Sequence, residues 1–317
     1  MTITDTEYAQ LRDDAAVVDL GRRGLVRVTG RDARSFLDSL ASQDLTVLAD
    51  GDGAHSLLLQ PQGKLTADFR ALQLGSEELW LLCDDGVGEV LAAGLNRFKI
   101  RVQVEVVDAS DESAQLSVRG PRAVEAVASA LGVAVPGALH AHVAWNDARV
   151  VRAHWPGVEG VDVVGPRAVV ADALAALTAA GVATANEDAL EVVRIEAGVP
   201  RQGSDIDDTT IPQEAFLERA AVSFTKGCFL GQELVCRIDT RGHVNKLLRG
   251  LVIAGADQPE PGAEITVDGK SVGKLTSVAR SPRLGVIALA SVRREVEPGA
   301  TVTVAGATAV VRELPLV

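Results

Sequence analysis

The segment from residue 247 to residue 317 constrains the fold more than any other stretch. Six short runs of alternating polar and apolar residues follow one another there, and Pro-Gly and Asp-Gly turns separate them. Strands this short, with turn residues at such close intervals, indicate a small β-barrel. The six predicted strands are residues 250–254, 263–267, 271–277, 285–290, 301–304 and 309–314.

The preceding part of the chain mixes helical and strand patterns, which predicts an α+β architecture rather than a doubly wound parallel sheet. Residues 25–28 form a strand pattern that turns into an amphipathic helix, whose apolar residues recur at helical spacing. Two further strand patterns, 56–60 and 65–74, flank the hairpin signal Pro61-Gln62-Gly63. With 317 residues the chain exceeds the usual size of one domain, so we expect two or three compact units.

Charge and cysteine content narrow the class of protein. Acidic residues outnumber basic ones by 43 to 31, and no long basic run occurs, which disfavours a nucleic-acid partner. The three cysteines, Cys83, Cys228 and Cys236, are odd in number and form no CxxC pair, which indicates a reducing compartment. No run of about 18 apolar residues occurs. We therefore expect a cytoplasmic protein that contacts neither nucleic acid nor membrane.

Residues 226–233, which read K-G-C-F-L-G-Q-E, carry the strongest chemical signal. Two glycines bracket Cys228, and a helical pattern begins at Gln232. A thiol delivered to a helix start feels the positive end of the helix dipole, and the Lys226 ammonium, if it faces the sulfur, also favours the thiolate. Cys228 is therefore a candidate nucleophilic or redox-sensitive residue, and the alternative is a half-buried structural cysteine in a glycine turn. Cys236 lies ~12 Å further along a continuous helix, too far for a shared metal or a disulfide.

Four other positions are weaker candidates. Glu196 stands in the last turn of a helix predicted over residues 187–197, where the helix dipole disfavours a carboxylate. Its side chain therefore either serves another purpose or is simply solvated. His140 and His142 are two apart on a predicted strand and share a face, but no third metal ligand lies nearby, which favours ordinary histidines over a metal pair. Cys83, inside an apolar strand pattern, is expected in the core.

The octapeptide resembles the K-G-C-F/Y-x-G-Q-E signature of the YgfZ proteins, folate-binding relatives of the glycine-cleavage T-protein, an aminomethyltransferase. Residues 26–37, the R-I-E-A-G-V-P run at 194–200 and the barrel segment 272–290 resemble further segments of that superfamily. The resemblance implies an α+β fold in which three domains form a ring of the T-protein type: two interlocked α+β domains and a C-terminal β-barrel. The implied domains are residues 1–51 with 112–200, residues 52–111 with 201–246, and residues 247–317.

The same resemblance implies what the protein binds and does. Tetrahydrofolate would occupy the central channel, where Glu196 accepts two hydrogen bonds from the pterin ring, with Cys228 at the channel edge and Lys226 tuning its thiolate. The implied function is that of a monomeric accessory protein for assembly or repair of iron–sulfur clusters. Its partners would be client enzymes, radical-SAM tRNA-modifying ones among them, or cluster-assembly proteins. The implied folate-binding residues are Glu196, Arg194, Gln62, Asp68, Gly227, Gln232 and Glu233.

One segment departs from the superfamily pattern. In aminomethyltransferases the hairpin that matches residues 60–68 carries Gly-Gly-x-x-Asp-Asp, whose second Asp works on the folate nitrogens. Here Thr66 and Ala67 fall where those carboxylates would be, and Asp68 comes one place late, on the opposite face of a strand. Aminomethyl or one-carbon transfer with Asp68 as the carboxylate is therefore the alternative function. A third hypothesis is a protein that senses or stores folate and in which Cys228 is structural.

Overall fold

A computed structural model describes residues 5–255 and 257–317. These residues form eight α-helices: α1 (Asp5–Asp13), α2 (Ala33–Leu40), α3 (Val87–Asn96), α4 (Ala123–Leu131), α5 (Arg167–Ala179), α6 (Glu187–Ala197), α7 (Glu218–Ala221) and α8 (Gln232–Arg241). No helix of this part of the chain is both long and apolar enough to span a lipid bilayer.

The same residues form seventeen strands, which build two open sheets and a barrel. The strands are β1 (Ala16–Asp19), β2 (Gly24–Thr29), β3 (Gly53–Leu59), β4 (Leu65–Leu74), β5 (Glu78–Cys83), β6 (Glu105–Asp108), β7 (Ser113–Arg119), β8 (His142–Trp145), β9 (Ala148–Arg152), β10 (Gly160–Pro166), β11 (Ala183–Thr184), β12 (Lys246–Ile253), β13 (Glu264–Val267), β14 (Lys270–Ser281), β15 (Gly285–Arg293), β16 (Thr301–Val304) and β17 (Ala307–Arg312).

The two open sheets pack against each other and carry their helices on the outside. The five-stranded sheet has the order β3-β4-β5-β2-β6, and α2 and α3 cover one of its faces. The six-stranded sheet has the order β11-β1-β7-β10-β9-β8, and α4 and α5 cover it in the same way. Their uncovered faces meet in an apolar contact that joins Leu72 and Leu82 to Val151 and Val164. We call this contact between the two sheets the seam.

The C-terminal segment closes into a six-stranded barrel with the order β12-β15-β14-β13-β16-β17. Every neighbouring pair is antiparallel, and the interior is a separate apolar core that includes Ile265, Ala288 and Val311. The predicted barrel is confirmed, as is the α+β class of the remainder. Three pairs of strands that are consecutive in the chain, β13–β14, β14–β15 and β16–β17, are hairpins, and the first of them turns at Asp268-Gly269.

Helix α6 packs against both the open-sheet part of the chain and the barrel. Asn186 caps its N-terminus by accepting a hydrogen bond from Ala189 N at 2.8 Å, and Gly198, with a φ of 71°, ends it, as the sequence predicts. Its apolar residues share one core with α1, the β3–β4 hairpin, the loop before α8 and the barrel. Helix α6 therefore fixes the position of the barrel relative to the open sheets.

The predicted division into domains stays a prediction, but one strand lies in a different sheet from the one it implies. Strand β2 belongs to the segment 1–51, which was grouped with residues 112–200. It pairs instead with β5 and β6 of the five-stranded sheet, with Val26 opposite Leu81. An antiparallel partner more than fifty residues away leaves no local sequence signal, because alternation identifies a strand but not its neighbour.

Candidate functional site

Cys228 lies on an exposed loop that rests directly on the β3–β4 hairpin. Gly231, with a φ of 80°, approaches so closely that a Cβ there would lie 2.5 Å from the carbonyl oxygen of Gln60. A Cβ on Gly63 of the hairpin would in turn lie 2.8 Å from Cβ of Leu234. These two glycines allow the loop and the hairpin to touch, so two motifs that are far apart in sequence meet. Helix α8 begins at Gln232, and the thiol therefore lies about one turn before the helix, in open contact with solvent.

Among the described residues, the Lys226 ammonium forms its hydrogen bonds with oxygens at the end of α2 and none with the Cys228 sulfur. Its side chain is 3% exposed, and Nζ donates to Asp38 Oδ1 at 2.9 Å and to three backbone carbonyl oxygens that follow or lie within the end of α2. Those carbonyls, of Asp38, Ala41 and Gln43, attract a cation because the C-terminal end of a helix is electronegative. The contacts give Lys226 an anchoring role: it holds the cysteine loop against α2.

Four of the predicted folate-binding residues lie on the outer surface near this loop rather than in the interior. Gln62 at the hairpin tip, Gly227 and Glu233 are exposed, and Gln232 is half-buried. They lie beside the cysteine loop and not beside Glu196, so the predicted site residues fall into separate groups. Their role in folate binding stays a prediction.

Glu196 is completely buried, so the simple alternative of a solvated carboxylate at a helix end is wrong. Tyr8 Oη donates to its two carboxylate oxygens at 2.8 and 3.0 Å, and Ser281 Oγ donates to Oε1 at 2.5 Å. Arg12 Nε lies 3.8 Å from Oε2. Burial, and after it the hydrogen bond to Glu196, raises the pKa of Tyr8 above its ordinary value. The carboxylate thus joins α6 to α1 and β14, and a pterin ring would reach it only by displacing these donors.

Arg194 is also a buried link between elements. Its guanidinium donates to Glu191 at 2.6 Å, to Asp205 at 2.7 Å and to Ser277 Oγ at 2.8 Å. Burial lowers the pKa of Arg194, but the hydrogen bonds and charges of Glu191 and Asp205 outweigh it and raise the pKa overall. Since these carboxylates and β14 already occupy the guanidinium, Arg194 ties α6 to the barrel.

A cluster of charged residues at the seam was missed by the sequence reasoning. Asp162 on β10 is 1% exposed and accepts hydrogen bonds from Arg119 at 2.9 Å, from Arg70 at 2.7 Å and from Gln115 at 3.0 Å. Arg70 belongs to the five-stranded sheet, and the other three belong to the six-stranded sheet, so the cluster bridges the seam. The signal in the sequence is a single aspartate within the apolar run Val161-Asp162-Val163-Val164, because a buried charge requires partners.

Asp68 and His55 extend this cluster along β4 and β3. Residues Ala67 and Phe69 point into the core under the helices, whereas Asp68 shares the seam-facing side of β4 with Arg70 and Leu72. Oδ1 of Asp68 forms a short contact with Nε2 of His55, and their side chains are 17% and 22% exposed. We define the seam cluster as His55, Asp68, Arg70, Arg119 and Asp162.

The end of β5 adds an acidic residue and a thiol to the surroundings of the seam cluster. Asp84 accepts a hydrogen bond from Gln202 N at 2.8 Å, and burial together with the Asp68 charge raises its pKa. The side-chain amide of Gln202 also bridges Asp68 N and Thr66 O, at 2.8 and 2.9 Å. Burial, and then the charge of Asp84, raises the pKa of Cys83, which is partly buried and a poor nucleophile.

The two histidines considered as a metal pair do not share a strand face. Strand β8 begins at His142, whose Nε2 lies 3.1 Å from the Gln73 carbonyl oxygen, whereas His140 precedes the strand with a φ of 66°. The His140 ring instead packs edge-on against His55, with 6.2 Å between ring centroids. Among residues 5–255 and 257–317, no group of three His, Cys, Asp or Glu side chains is arranged to hold a metal ion.

Comparison with known proteins points to one family. The family model described as GCVT N-terminal domain matches residues 1–226, and that of the glycine cleavage T-protein C-terminal barrel domain matches residues 246–315. An aminomethyltransferase of Rubrobacter xylanophilus is 30% identical over 318 residues, which cover 98% of this chain and 84% of the relative. One of a Nostoc species is 27% identical over 297 residues, covering 90% of this chain and 79% of the relative.

A solved structure shows that the similarity extends to the whole fold. The crystal structure of glycine cleavage system aminomethyltransferase T from Bartonella henselae superimposes with a TM-score of 0.88 and 23% sequence identity. The superposition covers 98% of this chain and 89% of the other. The arrangement of two open sheets and a barrel is therefore that of a T-protein.

Proposed function

The chain belongs to the glycine cleavage T-protein family, and from this premise we propose that it binds tetrahydrofolate at the seam and acts as an accessory protein for iron–sulfur clusters in client enzymes. The observation that carries the proposal is the position of Cys228. Its exposed loop is seated by Gly231 and Gly63 on the hairpin whose strand β4 carries Asp68. Strand β4 begins at Leu65, directly after the hairpin turn, and carries Asp68, so a rigid element connects the cysteine loop with the seam.

The residues at the seam fit a reduced folate by the chemistry of their donors and acceptors. A pterin ring offers N–H donors and one carbonyl acceptor, and the glutamate tail is anionic. Within the described residues, Asp68 Oδ2 has no hydrogen-bond partner, and Arg119 Nε and His140 Nδ1 are buried without one. Buried polar atoms without partners are rare in folded proteins and indicate a bound polar group or water. Bound tetrahydrofolate would supply a nitrogen that carries a one-carbon unit.

The neighbouring side chains suit the same ligand. Trp155, whose ring lies 4.4 Å from the Arg119 guanidinium, offers a flat apolar surface, and Arg70 offers a half-buried cation for a carboxylate. Arg12 beside Glu196 also has two buried nitrogens without a hydrogen-bond partner among the described residues, but the Glu196 carboxylate itself is covered by Tyr8 and Ser281. We therefore place the proposed folate site at the seam cluster rather than at Glu196.

The proposed role in iron–sulfur maintenance rests on the chemistry of the cysteine loop and on its resemblance to the YgfZ signature. A single exposed thiol on an anchored loop can bond transiently to a cluster or to a client protein, because thiolates are the usual ligands of such clusters. The described residues near the loop provide no three-ligand site that would hold a cluster permanently. The cluster would then be cargo or substrate rather than a resident cofactor.

Aminomethyl transfer is the second candidate function, and the relatives favour it. The proteins matched over most of their length are named aminomethyltransferase. Despite the altered hairpin sequence, Asp68 lies on the seam-facing side of β4. A carboxylate at that position could act on a folate nitrogen. This candidate requires Asp68 but has no use for Cys228, and that difference makes the two functions separable.

A tetrahydrofolate titration tests the shared part of both functions. We expect the wild type and Glu196→Gln to bind and Asp68→Asn to bind at least ~10-fold more weakly, since a charged hydrogen bond contributes about 1.5–3 kcal/mol. Loss of binding in Glu196→Gln but not in Asp68→Asn would place the pocket at α6, as the sequence first suggested. Absence of binding to the wild type would refute both functions.

Cys228→Ala separates the two functions. If the protein serves iron–sulfur clusters, the variant binds folate normally, but cells that carry it lose activity of a cluster-containing client enzyme under oxidative stress. If it transfers aminomethyl groups, purified wild type and Cys228→Ala both form methylenetetrahydrofolate from an aminomethyl-lipoyl carrier, and client activity is unchanged. The second result would overturn the accessory role.

A further inference from the structure

We propose, on the premise of the folate site above, that His55 is an acid–base residue of the seam, oriented by Asp68, that accepts a proton from a nitrogen of the bound ligand. The two side chains are diagonal neighbours on one face of the β3–β4 pair, since His55 pairs with Arg70 and Leu57 pairs with Asp68. Both lie on rigid strands, and Gln202 fixes the backbone of Asp68 by accepting from its N–H at 2.8 Å. The geometry is therefore held without a ligand.

The His55 ring has one nitrogen fixed and one nitrogen free. Nε2 contacts Asp68 Oδ1, whereas Nδ1 has no hydrogen-bond partner among the described residues, and the side chain is 22% exposed. A carboxylate that holds one ring nitrogen and leaves the other for the reacting group is the recurring arrangement of an oriented catalytic base. In the proposed step the ligand N–H bond breaks, its electron pair stays on the ligand nitrogen, and the proton forms a bond to Nδ1. The Asp68 carboxylate stabilises the resulting imidazolium.

The groups around His55 favour its protonated ring more than water does. Burial lowers the pKa of His55 and Arg70 opposes its protonation, but the charge and hydrogen bond of Asp68 outweigh both and raise the pKa. The adjacent His140 behaves differently, because burial, Arg70, His55 and His154 lower its pKa to about 2. His140 therefore stays neutral, and His55 is the ring of this pair that titrates.

Histidine NMR of the ligand-free protein tests the pairing. With 13C-labelled histidine, the resonance lost in His55→Gln should titrate at a higher pH in the wild type than an unperturbed ring, whose pKa is about 6.5. Asp68→Asn should lower the pKa of His55, because the carboxylate that stabilises the charged ring is gone. His243→Gln, which removes an exposed histidine, serves as the control and should leave the His55 curve unchanged. A His55 pKa at or below 6.5 that does not respond to Asp68→Asn would overturn the proposal.

The pH dependence of tetrahydrofolate binding tests the function of the pair. We expect the affinity of the wild type for tetrahydrofolate to change across the His55 pKa, and the affinity of His55→Gln to be independent of pH in that range. His243→Gln is the control and should behave as the wild type. Circular dichroism checks that each variant is folded. Identical profiles for wild type and His55→Gln would refute this inference and leave the folate site intact. No binding by the wild type at any pH would refute the folate site and, with it, the role of His55.

Discussion

Replacing Lys226 by methionine separates an anchoring lysine from one that tunes the nearby thiol. The ammonium is nearly inaccessible and contacts one carboxylate and three carbonyl oxygens at 2.6–3.0 Å. Removing one partner of a buried charge pair costs about 3–5 kcal/mol, and Asp38, which is 20% exposed, recovers part of its hydration. We therefore expect the free energy of unfolding to fall by about 3 kcal/mol.

Urea denaturation with a parallel thiol assay measures both properties of Lys226→Met. A loss of about 3 kcal/mol lowers the midpoint by about 1 M when the m-value is about 3 kcal/mol/M. Lys270→Met, an exposed lysine on β14, is the control and should stay within about 0.5 kcal/mol of wild type. Alkylation of Cys228 in the folded protein should remain close to the wild-type rate. Unchanged stability together with about tenfold slower alkylation would refute the anchoring role.

Three further predictions concern the loop, the buried carboxylate and the thiols. Gly231→Ala should destabilise the protein by at least about 1–2 kcal/mol in urea denaturation, because alanine at a φ of 80° is strained and its Cβ would collide with the hairpin. Tyr8→Phe should cost about 1–3 kcal/mol in the same assay, because the buried carboxylate of α6 loses the phenol that donates to both its oxygens. Iodoacetamide should label Cys228 before Cys83, as peptide mass spectrometry can rank, because burial and neighbouring carboxylates raise the pKa of Cys83.

The features that were predictable from sequence are those whose partners are close along the chain. The barrel was predictable because most of its strands form consecutive hairpins and turn residues such as Asp268-Gly269 separate the strands, and α6 was predictable because Asn186 and Gly198 mark its two ends. The seam cluster was not, since Arg70 and Asp162 are 92 residues apart. An aspartate in an apolar strand signals a buried charge, but only the packing of the two sheets identifies its partner.

Side-chain roles were harder to predict than side-chain positions. Lys226 precedes Cys228 by two residues, and this spacing suggested that it faces the sulfur. The end of α2 offers its ammonium four oxygen acceptors, which are electrostatically a better environment than one thiolate. Local sequence shows what a side chain is able to do, whereas the competing partners come from elements that only the fold brings near.

Carboxylates whose hydrogen bonds are all taken by protein donors hold this protein together, whereas carboxylates with an unused oxygen remain available to a ligand. Asp162 is at most 1% exposed and accepts from three protein donors, so its hydrogen-bonding capacity serves the contact between the sheets. Glu196 does the same for α1 and the barrel. Asp68 differs, because one oxygen contacts His55 while the other has no partner among the described residues and the side chain is still 17% exposed. A carboxylate that is oriented but not saturated can bind or exchange a proton, and for that reason chemistry at the seam should depend on Asp68 more than on the better-buried acids.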